Sequence, residues 1–61
     1  MAEERLLTQR QAAAYLNVSI TTLQRWRRQG IGPPSIVLPN GYRRFRRSDL
    51  DRWLREHEAD Q

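Results

Sequence analysis

The sequence predicts a mainly α domain, three helices with one small two-stranded β-hairpin, and three observations carry that reading. Two stretches with apolar residues at helical spacing, from Gln9 to Leu16 and from Ile20 to about Gln29, are each framed by a hydroxyl N-cap and a residue suited to a left-handed C-terminus. Pro39-Asn40-Gly41 then separates two short strand-like runs, and Asn-Gly is the strongest short-range hairpin signal. Finally, Ser48-Asp49-Leu50-Asp51 opens a third amphipathic segment.

The first helix begins at a capping box, Thr8-Gln9-Arg10-Gln11, in which the Thr8 hydroxyl covers the first turn and Gln11 reaches back. Ala12, Ala13 and Leu16 supply its core face. Asn17 tolerates the left-handed conformation that ends a helix, and Val18 can pack beneath the turn. Ser19 caps the second helix, whose inward stripe is Ile20, Leu23 and Trp26 and whose stop is Gly30. Two helices joined across Asn17-Val18-Ser19 form a helix-turn-helix. The second helix turns Thr21, Thr22, Gln24, Arg25 and Arg28 outward, and every one of them can donate a hydrogen bond.

Gly32-Pro33-Pro34 excludes helix and forces an extended exit. Ile36-Val37-Leu38 is the outgoing strand, and the return strand runs from Tyr42 to about Arg46. Alternation puts Arg43, Phe45 and Arg47 on one face, with Phe45 marking the core, and Tyr42, Arg44 and Arg46 on the other. In the third helix Ser48 is the expected cap, Asp49 and Asp51 sit at the positive end of the dipole, and Leu50, Trp53 and Leu54 form the buried stripe. Residues 56–61 form an acidic, polar tail expected to fray, so the ordered core spans about residues 6–55 of a single domain over residues 1–61. His57 lies in that tail with no second metal ligand nearby and reads as solvated.

Charge is strongly segregated. Residues 1–4 carry −2, residues 5–47 carry +9 with no acidic residue at all, and residues 48–61 carry a net −3. All eleven basic residues are arginine. Its planar fork fits phosphates and the O6/N7 edge of guanine in a way that lysine's point charge does not. Apart from Arg5 and Arg10, the arginines of the basic stretch sit in two aromatic-laced clusters, Arg25-Trp26-Arg27-Arg28 and Tyr42-Arg43-Arg44-Phe45-Arg46-Arg47. Such a field steers a polyanion to one face, and the polyanion expected is nucleic acid.

Several classes are set aside by composition. There is no cysteine and no Cys/His spacing suited to zinc, so neither a disulfide nor a metal is expected, and no cofactor or small-molecule ligand. No apolar run approaches the roughly 20 residues that span a bilayer, so no membrane partner is expected. No nucleophile with a base, carboxylate dyad or phosphate-cradling glycine loop is evident, so catalysis is not expected.

The ordered set of motifs is a winged helix-turn-helix, and it resembles the excisionase / AlpA-like family, the smallest MerR-like winged helices. The residues that carry the resemblance are Leu7-Thr8, Ala12-Ala13, Leu16, Val18-Ser19, Thr22-Leu23 and Arg25-Trp26. They continue with Gly30, Gly32-Pro33-Pro34, Gly41, Arg43-Arg44-Phe45, Ser48-Asp49-Leu50 and Trp53-Leu54. The resemblance implies that the second helix enters the major groove while the hairpin wing touches backbone or minor groove. It implies a cytoplasmic, nucleoid-associated protein of a bacterium or phage-infected host. The role implied is that of a recombination directionality factor: it binds tandem sites head to tail, bends DNA and works with a site-specific integrase. An AlpA-like transcription regulator is the alternative, and an Arg-rich RNA-binding or protein-interaction module is the alternative of another class. These residues do not include the long dimerisation helix and effector domain of full MerR-type regulators, so a ligand-sensing activator is not expected.

On that geometry the base-contact candidates are Thr21, Thr22 and Arg25, with Gln24 at the margin and Arg28 as a phosphate contact, and Ser19 belongs to the same recognition-helix surface. Tyr42, Arg43, Arg44 and Arg46 are the wing candidates, because a narrow minor groove attracts arginine. Thr8 and Arg10 mark a helix N-terminus suited to a phosphate. Glu56, Glu58 and Asp60 could meet arginines of a neighbouring protomer.

Overall fold

The computed structural model describes residues 5–58, which run as β1 (Leu6–Thr8), α1 (Gln9–Leu16), α2 (Ile20–Gln29), β2 (Ile36–Val37), β3 (Arg43–Arg46) and α3 (Arg47–Glu58). Local chemistry sets both ends of the first two helices. At α1 the capping box forms in both directions: Gln11 N donates to Thr8 Oγ1 at 3.0 Å and Thr8 N donates to Gln11 Oε1 at 2.9 Å. Asn17 takes the left-handed conformation at φ 61°, which lets Asn17 N donate to Ala14 O at 3.1 Å and Val18 N to Ala13 O at 3.0 Å. Gly30, at φ 76°, ends α2 by the same device, with Gly30 N on Arg27 O at 3.1 Å and Ile31 N on Trp26 O at 3.0 Å. Both endings satisfy carbonyls that a helix C-terminus otherwise leaves open.

The core is small: Ala12, Ala13, Leu23, Phe45 and Leu50 are buried, and Leu7, Leu16, Val18, Ile20 and Trp26 pack around them. Two adjacent alanines on the buried face of α1 let that helix approach its neighbours closely. It packs against α2, α3, β1 and β3 and so forms the hub of the domain. Phe45 comes from the middle of the sheet, Leu23 from α2 and Leu50 from α3, so one side chain from each surrounding layer closes on that hub.

Three helices and an antiparallel hairpin appear as the sequence predicts, but the hairpin gains a third strand. The sheet order is β1-β3-β2, with Leu6 opposite Arg46, Leu7 opposite Phe45 and Thr8 opposite Arg44. On the other side Ile36 faces Arg44 and Val37 faces Arg43. Three residues without alternation give no local strand signal for β1. Its strand form comes from backbone pairing with a segment far along the chain and from burial of Leu7 beside Phe45.

Helix α3 corrects several expectations. It begins at Arg47, directly after β3, so Ser48 lies inside the first turn instead of forming the boundary, and only Asp49 is the first-turn carboxylate. Asp51 has another task, since its carboxylate accepts a hydrogen bond from the Tyr15 hydroxyl and ties α3 to α1. At the other end the helix runs through Glu58, so residues 56–58 are helical; residues 59–61, the rest of the expected tail, lie outside the described residues. His57 is exposed yet not merely solvated. Its ring centroid is 4.1 Å from that of Trp53, and its Nδ1–H donates to the Trp53 carbonyl at 2.9 Å.

Trp53 and Trp26, both expected in the core, are instead half-buried at its edge. Their rings meet at 5.4 Å with a 39° tilt, where α2 and α3 come together. Trp53 Nε1 donates to the Ile31 carbonyl at 3.2 Å, so the indole keeps its polar atom partnered while its face covers the core.

The Tyr15–Asp51 contact carries a pH prediction. The hydrogen bond to Asp51, together with desolvation and the carboxylate's charge, pushes the Tyr15 hydroxyl above the usual value of 10.0, while Arg47 pulls weakly the other way. The neutral phenol is the form that the fold favours. Its contribution is therefore complete below the unfolded value and is lost as pH rises through the raised folded one. Melting curves between about pH 9 and about pH 11 should show a steeper alkaline loss for the wild type than for Tyr15→Phe. Parallel losses in the two proteins would contradict the contact.

Candidate nucleic-acid interface

Helix α2 is divided by its packing. Leu23 is buried and Ile20 and Trp26 lean on the core, while Thr21, Arg25 and Arg28 are exposed. Those three fall at i, i+4 and i+7 and so form a single line along the outer face. Gln24 is half-buried at the edge of that line. Among the described residues no hydrogen bond or ion pair holds the guanidinium of Arg25, Arg28 or Arg46.

Ser19 and Thr22 stand differently. Ser19 caps α2, accepting from Thr22 N at 3.0 Å, and its own hydroxyl donates to Thr22 Oγ1 at 2.9 Å. The single Ser19 proton is used within the cap, whereas the Thr22 hydroxyl proton remains available to an acceptor outside. At α1 the Thr8 hydroxyl is likewise engaged by the capping box, and Arg10 is exposed in that first turn.

The wing is a tight turn. Leu38 N donates to Tyr42 O at 2.8 Å and Gly41 N to Leu38 O at 2.8 Å, with Gly41 at φ 88°. Asn40 Oδ1 accepts from Tyr42 N at 3.0 Å and braces the tip. A side chain at Gly41 meets no neighbour, so what the position demands is the left-handed backbone, not space.

The register separates the wing arginines as the alternation predicts. Leu7, Phe45, Val37 and Arg43 share the core-side face, while Thr8, Ile36, Arg44 and Arg46 share the other with Leu6. Tyr42 is 63% exposed at the turn. The Arg44 guanidinium lies 6.0 Å from the Tyr42 ring centroid and donates from Nη1 to the Arg43 carbonyl at 2.9 Å, which holds it close to the strand. Arg46 is exposed, whereas Arg43 and Arg44 are half-buried. Arg43 Nη1 donates to Ser35 Oγ at 2.8 Å.

Sequence reasoning passed over Ser35 and gave Asn40 only a turn role. The Asn-Gly pair could have indicated the side-chain brace, since asparagine commonly bonds the backbone two residues on. Nothing local indicated Ser35, whose partner belongs to the far strand of the hairpin.

Among the described residues, no group of three or more His, Cys, Asp or Glu side chains is placed to hold a metal ion, and no helix is long and apolar enough to cross a membrane. The polar outer line of α2, the left-handed turn before it and the arginine-bearing hairpin define a helix-turn-helix domain with a wing. Residues 6–58 match the family model of a helix-turn-helix domain, and the chain belongs to that family. Membership suggests a DNA partner. No curated protein and no solved structure gives a significant match.

Proposed function

We propose that this domain binds double-stranded DNA sequence-specifically, with α2 in the major groove and the wing against the adjacent backbone or minor groove. The observation that carries the reading is the exposed line Thr21, Arg25 and Arg28 on the helix that follows the turn. Arg25 reads guanine by a bidentate contact, Thr21 and the free proton of Thr22 reach base edges, and Arg28 holds a phosphate. Tyr42, Arg44 and Arg46 meet the wing-side groove, and Arg10 takes a phosphate at the start of α1. The domain binds and bends DNA and performs no catalysis, and it works inside the cell, where its duplex partner is found.

Within DNA binding we place it as an excisionase, a recombination directionality factor that binds tandem sites cooperatively and turns an integrase from integration to excision. The resemblance across residues 6–55 supports this role. Glu56 and Glu58, exposed on the last turn of α3, are suited to arginines of a neighbouring protomer on adjacent sites. An integrase-dependent excision assay on attachment-site DNA tests the role. Excision that appears only when the protein is added is the expected result. Promoter binding with no effect on excision would instead identify a transcription regulator.

A further inference from the structure

Arg43 and Arg44 are neighbours in the sequence, but the fold uses them differently. Arg44 lies on the outer sheet face beside Tyr42, while Arg43 shares the face of Phe45, is half-buried and is bonded to Ser35 at 2.8 Å. Ser35 is no ordinary loop residue. It ends the segment that leaves α2, directly before β2, and that segment is fixed to α2 and α3. Gly30 closes α2, and Trp53 holds the Ile31 carbonyl. Gly32 runs so close to α2 that a Cβ there would lie 3.3 Å from Trp26 Cβ. Pro33 is buried. The Ser35 hydroxyl therefore lies where the α2 exit meets β2, and Arg43 belongs to β3, whose turn carries the wing tip.

We infer that Arg43 is a positioning residue and not a DNA contact: its bond to Ser35 sets the angle between the α2 exit and the wing, and thereby where Tyr42, Arg44 and Arg46 meet the duplex. The inference rests on the DNA-binding reading above. A charge-assisted hydrogen bond with one planar partner is directional, so it adds a restraint on the β2 side of the wing, where β3 is paired over only two residues.

The test uses the whole chain and a fluorescein-labelled duplex selected from random sequence by the wild-type protein. Affinity is measured as a function of salt for Arg43→Met, Ser35→Ala, Ser35→Thr, the Arg43→Met/Ser35→Ala pair and Arg46→Met, at a temperature where circular dichroism shows each folded. Arg43→Met and Ser35→Ala are each expected to weaken binding about tenfold. Their log–log salt slope should stay within about half a unit of wild type, because no phosphate contact is lost. The pair should be no worse than either single change, and Ser35→Thr should restore affinity. Arg46→Met, by contrast, should flatten the slope by about 1.

Two results overturn the inference. One is a slope for Arg43→Met flattened as in Arg46→Met, which would make Arg43 a phosphate contact. The other is wild-type affinity in folded Ser35→Ala, which would make the bond a matter of stability alone. Wild-type protein that shows no salt-dependent duplex binding sinks the DNA-binding reading itself, a result distinct from either.

Discussion

Phe45→Ala is expected to bring this domain to the edge of unfolding at room temperature. Phe45 is 2% exposed, sits on the middle strand opposite Leu7 and is among the largest fully buried side chains. Removing a buried phenylalanine costs about 3–5 kcal/mol, because the lost transfer energy adds to that of the cavity left behind. A domain of 61 residues has roughly 3–9 kcal/mol of total stability at the usual 0.05–0.15 kcal/mol per residue. The loss equals the whole of the lower end of that range and about half of the upper end. Urea titration followed by far-ultraviolet circular dichroism should show a shortened native baseline and a midpoint far below that of the wild type. Trp26 and Trp53, half-buried at the core edge, should cost less on truncation than Phe45. A Phe45→Ala protein that melts near the wild-type temperature would contradict the core described here.

The second large effect concerns recognition. Arg25→Ala should lose about 1–3 kcal/mol of affinity for the selected duplex, the value of one good bidentate base contact. The loss should be confined to sequences bearing the preferred base at one position, so that repeating the selection with the variant returns a relaxed preference there. Arg28→Ala, lower on the same face, should instead weaken binding to every duplex by a similar factor. The variants can be compared directly because both positions are exposed and neither side chain supports the core. Uniform loss for Arg25→Ala across all sequences would reassign it to the phosphate backbone.

What the sequence made legible was whatever depends on neighbours along the chain. The capping box at Thr8, the left-handed Asn17, the Ser19 cap and the Gly30 stop are each decided within four or five residues, and each appears as expected. The Asn40-Gly41 turn is local too, and alternation from it put Phe45 on the core side and Arg44 on the other. Features that depend on distant partners were not legible. Strand β1 exists only because β3 lies beside it, Asp51 meets Tyr15 across two helices, and the start of α3 is set by where β3 ends. The tryptophans were assigned to the core by periodicity, which gives direction but not depth, and α2 and α3 meet at the core edge.

The candidate site divides the same way. The outward line of α2 follows from helical period. The engagement of Ser19 with Thr22 and of Arg43 with Ser35 appears only when both partners have coordinates. One type of residue, arginine in a basic stretch, thus covers three situations: exposed on a helix face with no partner among the described residues, laid beside a tyrosine, and bonded into the frame.

The central claim is that two arginine-bearing elements of one small frame neutralise a DNA backbone. It is tested most directly by measuring the affinity of the wild-type protein for the labelled duplex across a salt series, with a double-stranded RNA of the same length in parallel. With about 5–7 phosphates neutralised, log affinity should fall against log salt with a slope of about −5 to −6, and DNA should be preferred over RNA. A slope near zero, or equal binding to RNA, would contradict the account.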